Sequence, residues 1–507
     1  MHRFSLALAS FGMAITLTGL APAITVEVDP VSGTDNGSTP FATLAAALTA
    51  VAGADAGADT VNLRTTGVHG ITGALAINVA AADGNLTIQT DAGDSGAAVI
   101  RLGGGGPPQI SINVDGGNVL DVNNVAIIGG TGAGAVGADG IQVFNASATG
   151  TATVNMTDVT LAANDGTDNP VPFDTNRDDV VGASWPGDDW LDYFEDTAGV
   201  LANVKISHCT DEGLILRGIN PTGVNGADVV MTGDSVVSFC GGRAFQTAFG
   251  TTAISGPTLT VMGSSAERVR VYNNNIEQLE GCFTLFDGNG VLEWVDIVDN
   301  QSLGIRVDTD TLFSFSADHL RASGNAEDNA LFTATSGAIG FAFAGANLTA
   351  ATITNSTFHD QQGLFNSIDI RNDTTNATTI DFTDCIFSGS SGGEQGDLIN
   401  IGTGSTAVVN LTNCALVQTS PFALGSGVYA DLMPTSETNS TSVSPLYQST
   451  SFDVNDPTNA DFLRVRYTAG APDYLTASSV GGELRGGNGL PLVEIIISGT
   501  DSWQIYN

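Results

Sequence analysis

The sequence predicts an all-β protein built as a single right-handed parallel β-helix, a solenoid whose coils each contain two or three short strands. The first indication is composition: the 507 residues include 63 glycines and only 7% aromatics. Asn, Asp, Thr and Ser fill the spaces between short runs of Val, Ile, Leu and Phe. This composition is typical of many short strands joined by tight turns.

The second indication is an internal repeat. An apolar residue, a small polar residue and then Asn or Asp are followed three positions later by another apolar residue. A repeat of roughly 25 to 35 residues without a helical pattern favours one coil per repeat, because a strand with a crossover helix needs about 30 residues or more. The clearest copies are Val122-Asn123-Asn124, Met156-Thr157-Asp158, Ile353-Thr354-Asn355, Phe382-Thr383-Asp384 and Leu411-Thr412-Asn413.

Weaker copies extend this pattern into what we interpret as one continuous ladder. They include Ile206-Ser207-His208, Val237-Ser238-Phe239, Tyr272-Asn273-Asn274 and Val298-Asp299-Asn300. Asn residues stacked on one another can hydrogen-bond along such a ladder. A second ladder, a small residue before an apolar one, runs behind the first and includes Gly213-Leu214, Ala244-Phe245, Gly281-Cys282, Gly304-Ile305, Ala330-Leu331 and Gly363-Leu364.

The two ends of the chain differ from the repeat. Residues 1–23 carry His2 and Arg3, an apolar run and Ala21-Pro22-Ala23, which predicts a signal peptide and export. Residues 24–60 are expected to form a strand and a short capping helix, because a solenoid must cover its open end. Coils are expected over 61–430, and further coils with a tail over 431–507.

The entry segment reads DPVSGTDNGSTPFATLAAALTAV, then GADTVNLRTTGVHG and GNLTIQTDAGD, and the close reads DFLRVRYTAGAPDYLTASSVGGELRGGNGLP. These segments resemble bacterial secreted proteins of the pectate-lyase-like right-handed β-helix superfamily. The resemblance implies the fold and export; the superfamily includes polysaccharide lyases, hydrolases and surface proteins without catalytic activity. The chain lacks the Gly-His-Gly of polygalacturonases and has a single lysine, Lys205.

The chain is strongly acidic, with a formal net charge of −39. Such a surface repels nucleic acid, anionic lipid and polyanionic substrates, so neither nucleic acid nor membrane insertion is expected. The charge also disfavours a uronate lyase, which would have to bind a polyanion. It is compatible with a solvated acidic surface or with divalent cations.

The second ladder brings charged residues together. Glu212, Arg243 and Glu280 each precede its small residue in successive coils, with Asp211 and His208 just upstream. We therefore predict a candidate catalytic face made of these five residues, with Arg217 nearby as a ligand-binding residue. Two carboxylates a few ångströms apart can support acid/base chemistry on a sugar. An ion ladder between coils, without catalysis, explains the same pattern.

A long loop at 165–196 interrupts the repeat and contains ten carboxylates. Its aromatic residues Trp185, Trp190 and Tyr193 are predicted to contact sugar or to pin the loop to the rod. Asp174, Asn176, Asp178 and Asp179 are a candidate calcium site because alternate oxygens can converge there. The residues at the sixth and twelfth positions, Asp179 and Trp185, do not match an EF-hand.

The five cysteines show no zinc spacing. Cys209 with Cys240, and Cys385 with Cys414, occupy corresponding positions of neighbouring coils, so each pair is either a buried stack of thiols or a disulfide. Cys282 has no such mate.

The sequence therefore predicts a secreted protein of a bacterium, located outside the cell, at the cell surface or in the periplasm. Its predicted role is to bind or organise extracellular material, with a polysaccharide or cell-surface glycan as partner and calcium as the cofactor. The alternative is a polysaccharide-degrading enzyme, a lyase or a glycoside hydrolase. Polysaccharide binding and cleavage assays discriminate between the two.

Overall fold

The computed structural model describes most of the chain between residues 23 and 464 and two short strands beyond it. The described residues are 23–37, 39–52, 57–103, 109–129, 139–147, 149–172, 189–218, 225–249, 256–274, 281–286, 288–307, 313–326, 338–341, 348–361, 368–370, 378–389, 398–417, 428–440, 447, 449–464, 466–467 and 492–493. The predicted signal peptide, apart from Ala23, lies outside them.

Three long parallel sheets account for nearly all of the described strands. Sheet I has 14 strands: Thr25–Val28, Asp59–Leu63, Leu86–Thr90, Val119–Asn123, Ala152–Thr157, Thr197–Ala202, Asp228–Thr232, Thr258–Met262, Asn289–Glu293, Phe313–Asp318, Leu348–Thr354, Thr379–Thr383, Val408–Thr412 and Ser436–Thr438. Sheet II has 12 strands: Val68–Gly70, Ala98–Arg101, Val125–Ile128, Thr160–Ala162, Lys205–Ser207, Val236–Ser238, Val269–Tyr272, Val295–Val298, Arg321–Ser323, Thr357–His359, Ile386–Ser388 and Ala415–Val417. Sheet III also has 12: Leu75–Val79, Ile110–Val114, Ile141–Asn145, Leu191–Tyr193, Leu214–Gly218, Phe245–Phe249, Phe283–Leu285, Ile305–Val307, Ile339–Phe341, Ile368–Ile370, Ile399–Ile401 and Tyr429–Asp431. Arg466–Tyr467 and Leu492–Val493 form a separate two-stranded parallel sheet.

Each coil runs from sheet I through sheet II to sheet III and then returns to sheet I. The predicted right-handed parallel β-helix is therefore confirmed. Strand residues alternate between the interior and the outer face, as in the BiBiB burial of Leu86–Thr90. The inward residues of all three sheets join in one apolar core that extends from Val26 to Leu416.

The repeat follows two corners of the coil, and the expectation of a single ladder was wrong. The strong copies, such as Asn124, Asp384 and Asn413, turn the chain from sheet I to sheet II with φ between 52° and 57°. The weaker copies, such as His208 and Phe239, turn it from sheet II to sheet III with φ of 57° and 55°. Both corners need a left-handed residue, which Asn and Asp adopt most readily, so their local sequences look alike.

A buried amide ladder lies inside the corner between sheets II and III. Asn274 donates through Nδ2 to Asn300 Oδ1 at 3.2 Å, and Asn300 donates to Asn325 Oδ1 at 2.8 Å. Asn325 in turn donates to Gln361 Oε1 at 3.1 Å. This ladder carries the predicted bonding of Asn along the rod, one residue after the left-handed position.

The cysteines are all buried and free. Cys240 belongs to the same corner as the amide ladder, because its backbone N–H donates to Asn274 Oδ1 at 3.0 Å. Burial raises the pKa of the Cys209 and Cys385 thiols, each of which also contacts its mate in the next coil. Of the two readings left open by the sequence, the buried thiol stack is the one found.

A short helix, Leu44–Val51, covers the N-terminal end of the rod as predicted. Thr43 caps it by accepting from the backbone N–H of Ala46 at 3.3 Å. The buried residues Leu44, Ala47, Leu48 and Val51 join the main core, and the helix contacts strands Thr25–Val28 and Asp59–Leu63. Among the described residues no helix is long and apolar enough to cross a membrane.

Residues 449–464 fold back over the outer face of sheet II, and we call them the C-terminal strap. Phe452, Val454, Phe462 and Leu463 pack against Tyr272 and neighbouring apolar residues of that face. Arg321 donates to the carbonyls of Asn459 at 2.8 Å and Phe462 at 2.9 Å. The strap therefore buries polar and apolar groups of sheet II that a bare solenoid would expose.

Candidate functional site

The candidate site lies where three charged residues stack before consecutive strands of sheet III. Leu191 pairs with Leu214, and Leu214 pairs with Phe245. Two residues before each of these stand Asp189, Glu212 and Arg243. Backbone bonds continue the register, because Gly213 N–H donates to the Arg243 carbonyl at 2.9 Å. The rigid coils thus place all three side chains at one edge of sheet III.

The position that the sequence assigned to Glu280 in this stack is held by Gly281. Phe283, not Cys282, pairs with Phe245, so the residue in register with Arg243 is Gly281. The sequence alignment of Gly281-Cys282 with Gly213-Leu214 was wrong by one position, because two adjacent buried residues, Cys282 and Phe283, both resemble the start of a strand. Glu280 itself lies outside the described residues.

Arg243 and Arg217 each hold carboxylates of the neighbouring coil. Arg243 Nη1 donates to Glu212 Oε1 and, at 2.7 Å, to Gln246 Oε1. Arg217 Nε donates to both oxygens of Asp192, at 2.9 and 2.7 Å. Such charge-assisted bonds are the strong ones in proteins. Glu212 therefore contacts Arg243. Asp189 lies between Glu212 and Arg217: its Oδ1 accepts from the Glu212 backbone N–H at 3.0 Å, and its Oδ2 lies 3.6 Å from Arg217 Nη2.

The carboxylates of this site are crowded and largely withdrawn from solvent. Oxygens of Asp189, Asp211 and Glu212 lie within 4.8 Å of one another. Asp189 is 2% exposed, Glu212 4% and Asp192 0%. Crowded, desolvated carboxylates are costly unless cations or hydrogen bonds compensate them. These three oxygens form a cluster that could ligate a metal ion.

The carboxylates of the site raise the pKa of Arg217. Burial lowers the pKa of its guanidinium, but Asp192, Asp189 and Asp139 together outweigh burial and raise it above its usual value. Asp139 lies one coil further, where Gln142 Nε2 donates to its carboxylate. The guanidinium is therefore fixed in its charged form by the surrounding acids.

Aromatic rings flank the charged residues on the same outer face. Phe144 and Phe194 stack with centroids 4.3 Å apart, and Arg217 lies over Phe194 at 5.4 Å. Arg243 and Arg306 lie over the ring of Phe286, at 5.3 and 5.5 Å. The three rings are half-buried. Each lies three residues after the first paired residue of its coil in sheet III, which is Ile141 for Phe144, Leu191 for Phe194 and Phe283 for Phe286.

The prediction that Trp190 and Tyr193 contact sugar is wrong, because both rings are 0% exposed and belong to the core. The indole N–H of Trp190 donates to the Ser207 carbonyl at 2.7 Å, and the Tyr193 hydroxyl to the Val154 carbonyl at 2.7 Å. Gly140 makes room for the indole, since a Cβ there would approach Trp190 Cε3 to 2.7 Å. The rings therefore pin the end of the acidic loop to the rod.

His208 occupies the corner between sheets II and III. It is 1% exposed, stacks on Phe239 with centroids 5.0 Å apart, and its Nδ1 lies 2.9 Å from Ser207 Oγ. A ring so covered cannot reach a polymer in solvent, which argues against proton transfer by His208. Asp174, Asn176, Asp178, Asp179 and Trp185 lie outside the described residues.

Sequence reasoning missed Asp189, Asp192 and Gln246, and it missed Phe144 and Phe286 as surface aromatics. The signal for Asp189 was its place two residues before Leu191, the same offset that singled out Glu212. It escaped notice because the strand at Leu191 sits inside the long acidic loop. The signal for the surface aromatics was their common position, three residues after the first residue of a sheet III strand.

Comparison with known proteins gives similarity to solved structures only. No protein family model and no curated protein sequence matches the chain. Similar structures include an alginate lyase from Paenibacillus sp., with 11% identity over 73% of this chain and 95% of that chain and a TM-score of 0.37. The A-module of a mannuronan C-5 epimerase from Azotobacter vinelandii has 13% identity, covers 83% and 100% of the two chains, and has a TM-score of 0.42.

A polysaccharide lyase of family PL6 from Pseudopedobacter saltans has 10% identity, covers 88% and 96% of the two chains, and has a TM-score of 0.37. At these values the similarity assigns no activity to the chain. The class is defined by the chain's own three parallel sheets: it is a right-handed parallel β-helix protein. This is the fold that the resemblance to the pectate-lyase-like superfamily implied.

Proposed function

We propose that this protein is an exported bacterial β-helix protein that binds carbohydrate on the outer face of sheet III. The observation that carries the proposal is the column of Phe144, Phe194 and Phe286 beside Arg217 and Arg243. Half-buried rings supply flat apolar surface, and anchored guanidinium and amide groups supply oriented hydrogen bonds. A sugar presents both apolar faces and hydroxyls, so this combination suits it.

The column also fits a chain-like ligand. Phe144 and Phe286 stand in coils separated by those of Phe194, Arg217 and the strand Phe245–Phe249. At about 4.8 Å per coil, the two rings lie roughly 19 Å apart along the rod. A linear polysaccharide lying along sheet III can contact both.

The burial and the arginine pairing of the site's carboxylates support binding better than cleavage. Asp192 is bound by Arg217 and Glu212 by Arg243, and both carboxylates are nearly without solvent contact. A carboxylate that is buried and already held by an arginine is poorly accessible to a polymer in solvent. General acid/base work needs a group matched to the operating pH and within reach of the substrate.

Retention of the mature protein on polysaccharides tests the proposal. We expect retardation in affinity gels that contain a glucan, a xylan or a galactomannan, without release of unsaturated products or reducing ends. Phe194→Ala should weaken retention by about tenfold, which is the loss of roughly 1.4 kcal/mol of ring contact. Met262→Ala is the control, because Met262 is a 38% exposed apolar residue of sheet I.

Two results contradict the binding proposal. Release of products from any of the polysaccharides would identify an enzyme, the competing function. Equal retention of Phe194→Ala and the unchanged protein would remove the Phe column from the binding surface.

We further propose that calcium binds this face, with Asp189, Asp211 and Glu212 as ligands. Carboxylate oxygens are the ligands that Ca²⁺ prefers, and Asp189, Asp211 and Glu212 are close enough to share one ion. Millimolar calcium should therefore raise the unfolding temperature, by an amount equivalent to about 2.7 kcal/mol at a hundred times the dissociation constant. Asp211→Asn should abolish this shift, and Asp381→Asn on sheet I should not.

The calcium proposal fails if the unfolding temperature does not respond to calcium. If Asp211→Asn responds as the unchanged protein does, the ion binds elsewhere, and the predicted ligands Asp174, Asn176, Asp178 and Asp179 become the next residues to replace.

A further inference from the structure

We infer that the site on sheet III selects neutral polysaccharides and rejects polyuronates. The inference rests on the proposed carbohydrate binding and names the class of ligand. Two arginines of the site already bind carboxylates of this chain, and this pairing decides whether a ligand carboxylate finds a cation to bind.

The site carries a surplus of negative charge among the described residues. Asp139, Asp189 and Asp192 act on Arg217, and Asp211 and Glu212 lie beside Asp189. Five carboxylates thus face three guanidinium groups, those of Arg217, Arg243 and Arg306. One calcium ion would at most cancel this surplus and would not make the site positive. Like charges juxtaposed across an interface oppose binding by several kcal/mol.

Two guanidinium groups of the site, those of Arg217 and Arg243, are engaged with buried acids. Arg217 Nε bonds both oxygens of Asp192, whose side chain is 0% exposed. Arg243 bonds Glu212, whose side chain is 5% exposed. A uronate that took either arginine would leave a desolvated carboxylate without its cation, and an uncompensated buried charge is strongly unfavourable.

Most arginines of the described chain, buried or exposed, are paired in the same way. Seven arginines form ion pairs with carboxylates of this chain: Arg64, Arg101, Arg217, Arg243, Arg268, Arg270 and Arg321. With a net charge of −39, the long-range field adds to the local repulsion. Sugar hydroxyls, in contrast, can donate to the carboxylates and accept from the arginines without displacing any ion pair.

The test compares polymers that differ in charge. Affinity gels hold glucan, xylan and galactomannan on one side and polygalacturonate and alginate on the other, each with chelator and with calcium. We expect neutral polymers to retain the protein at least about ten times more strongly than the uronates. Salt distinguishes the cause: residual retention on uronates should increase with ionic strength, because screening weakens repulsion.

Glu212→Gln provides a gain of binding. The amide oxygen of Gln can still accept from Arg243, but the negative charge is gone, so Arg243 becomes available to a uronate. Retention on polygalacturonate should rise by about tenfold relative to the unchanged protein. Glu267→Gln is the control, because Glu267 is exposed beyond strand Thr258–Met262 of sheet I and the substitution changes the net charge equally.

The outcomes separately test the preference for neutral polymers, carbohydrate binding itself and the role of Glu212. Retention of the protein by neutral polysaccharides and not by polyuronates supports the inference. Uronate retention equal to or above neutral retention, with or without calcium, overturns it and leaves carbohydrate binding standing. No retention on any polymer overturns both, and an unchanged uronate response in Glu212→Gln contradicts the role given to that carboxylate.

Discussion

Replacing Asp296 by Ala should lower the free energy of unfolding by about 3–5 kcal/mol, the cost of breaking a buried ion pair from one side. Asp296 is 0% exposed and lies between Arg268 and Arg321, with its Oδ1 2.7 Å from Arg268 Nε and 2.6 Å from Arg321 Nε. Burial and the charge of Arg321 already lower the pKa of Arg268 to about 9, and Asp296 opposes that shift. Without Asp296, the guanidinium groups of Arg268 and Arg321 would repel each other in the buried space under the C-terminal strap.

The loss should also loosen the C-terminal strap, because Arg321 binds its carbonyls at Asn459 and Phe462. Urea unfolding followed by circular dichroism measures the stability, and limited proteolysis within 449–464 measures the release of the strap. Asp296→Asn keeps the shape and removes the charge, so an intermediate loss is expected. Asp381→Ala is the control, because Asp381 accepts one bond from Asn410 on the outer face of sheet I.

Equal unfolding curves for Asp296→Ala and Asp381→Ala would show that the buried charge does not hold this part of the rod together. Faster proteolysis of the strap without a change in the global unfolding curve would limit the effect to the strap.

The coil architecture followed from the sequence because it repeats: alternating apolar residues recur from coil to coil, and many coils turn at Asn or Asp. The register of the strands, that is, which residues pair between neighbouring coils, was harder to predict from the sequence. Cys282 and Phe283 are both buried, and only the pairing of Phe283 with Phe245 shows which of them starts the strand. A register shift of one residue reverses the face of every side chain, and here it puts Gly281 in register with Arg243, at the position that the sequence assigned to Glu280.

The strap was not predicted at all, since its contacts join residues far apart in sequence. Arg270 bonds the carbonyl of Val454, 184 residues away, and nothing in the local pattern of either segment signals the other. The burial of Trp190 was likewise set by Gly140 in the preceding coil, which leaves space for the indole. Aromatic composition alone could not separate a surface ring from a core ring.

Replacing Arg217 by Gln should weaken binding of neutral polysaccharides by about tenfold or more, the largest effect on the proposed function. The guanidinium of Arg217 lies over Phe194 and binds Asp192, so it joins the aromatic column to the acidic cluster. Its removal also leaves Asp192, which is 0% exposed, without its cation. Stability should fall by no more than about 3 kcal/mol, because the arginine side chain is itself 26% exposed.

A second substitution separates binding from folding. In Arg217→Gln/Asp192→Asn both charges are gone, so the desolvated carboxylate no longer destabilises the fold, whereas the guanidinium that faces the ligand is still missing. Stability should return towards that of the unchanged protein, and binding should not. Arg101→Gln is the control. The side chains of Arg101, on sheet II, and of its partner Asp168, in the segment after strand Thr160–Ala162, are 35% and 31% exposed, and such surface pairs contribute less than about 1 kcal/mol. If the double variant recovers binding together with stability, Arg217 acts only by supporting the fold, and the binding surface must be sought in Phe144, Phe194 and Phe286 alone.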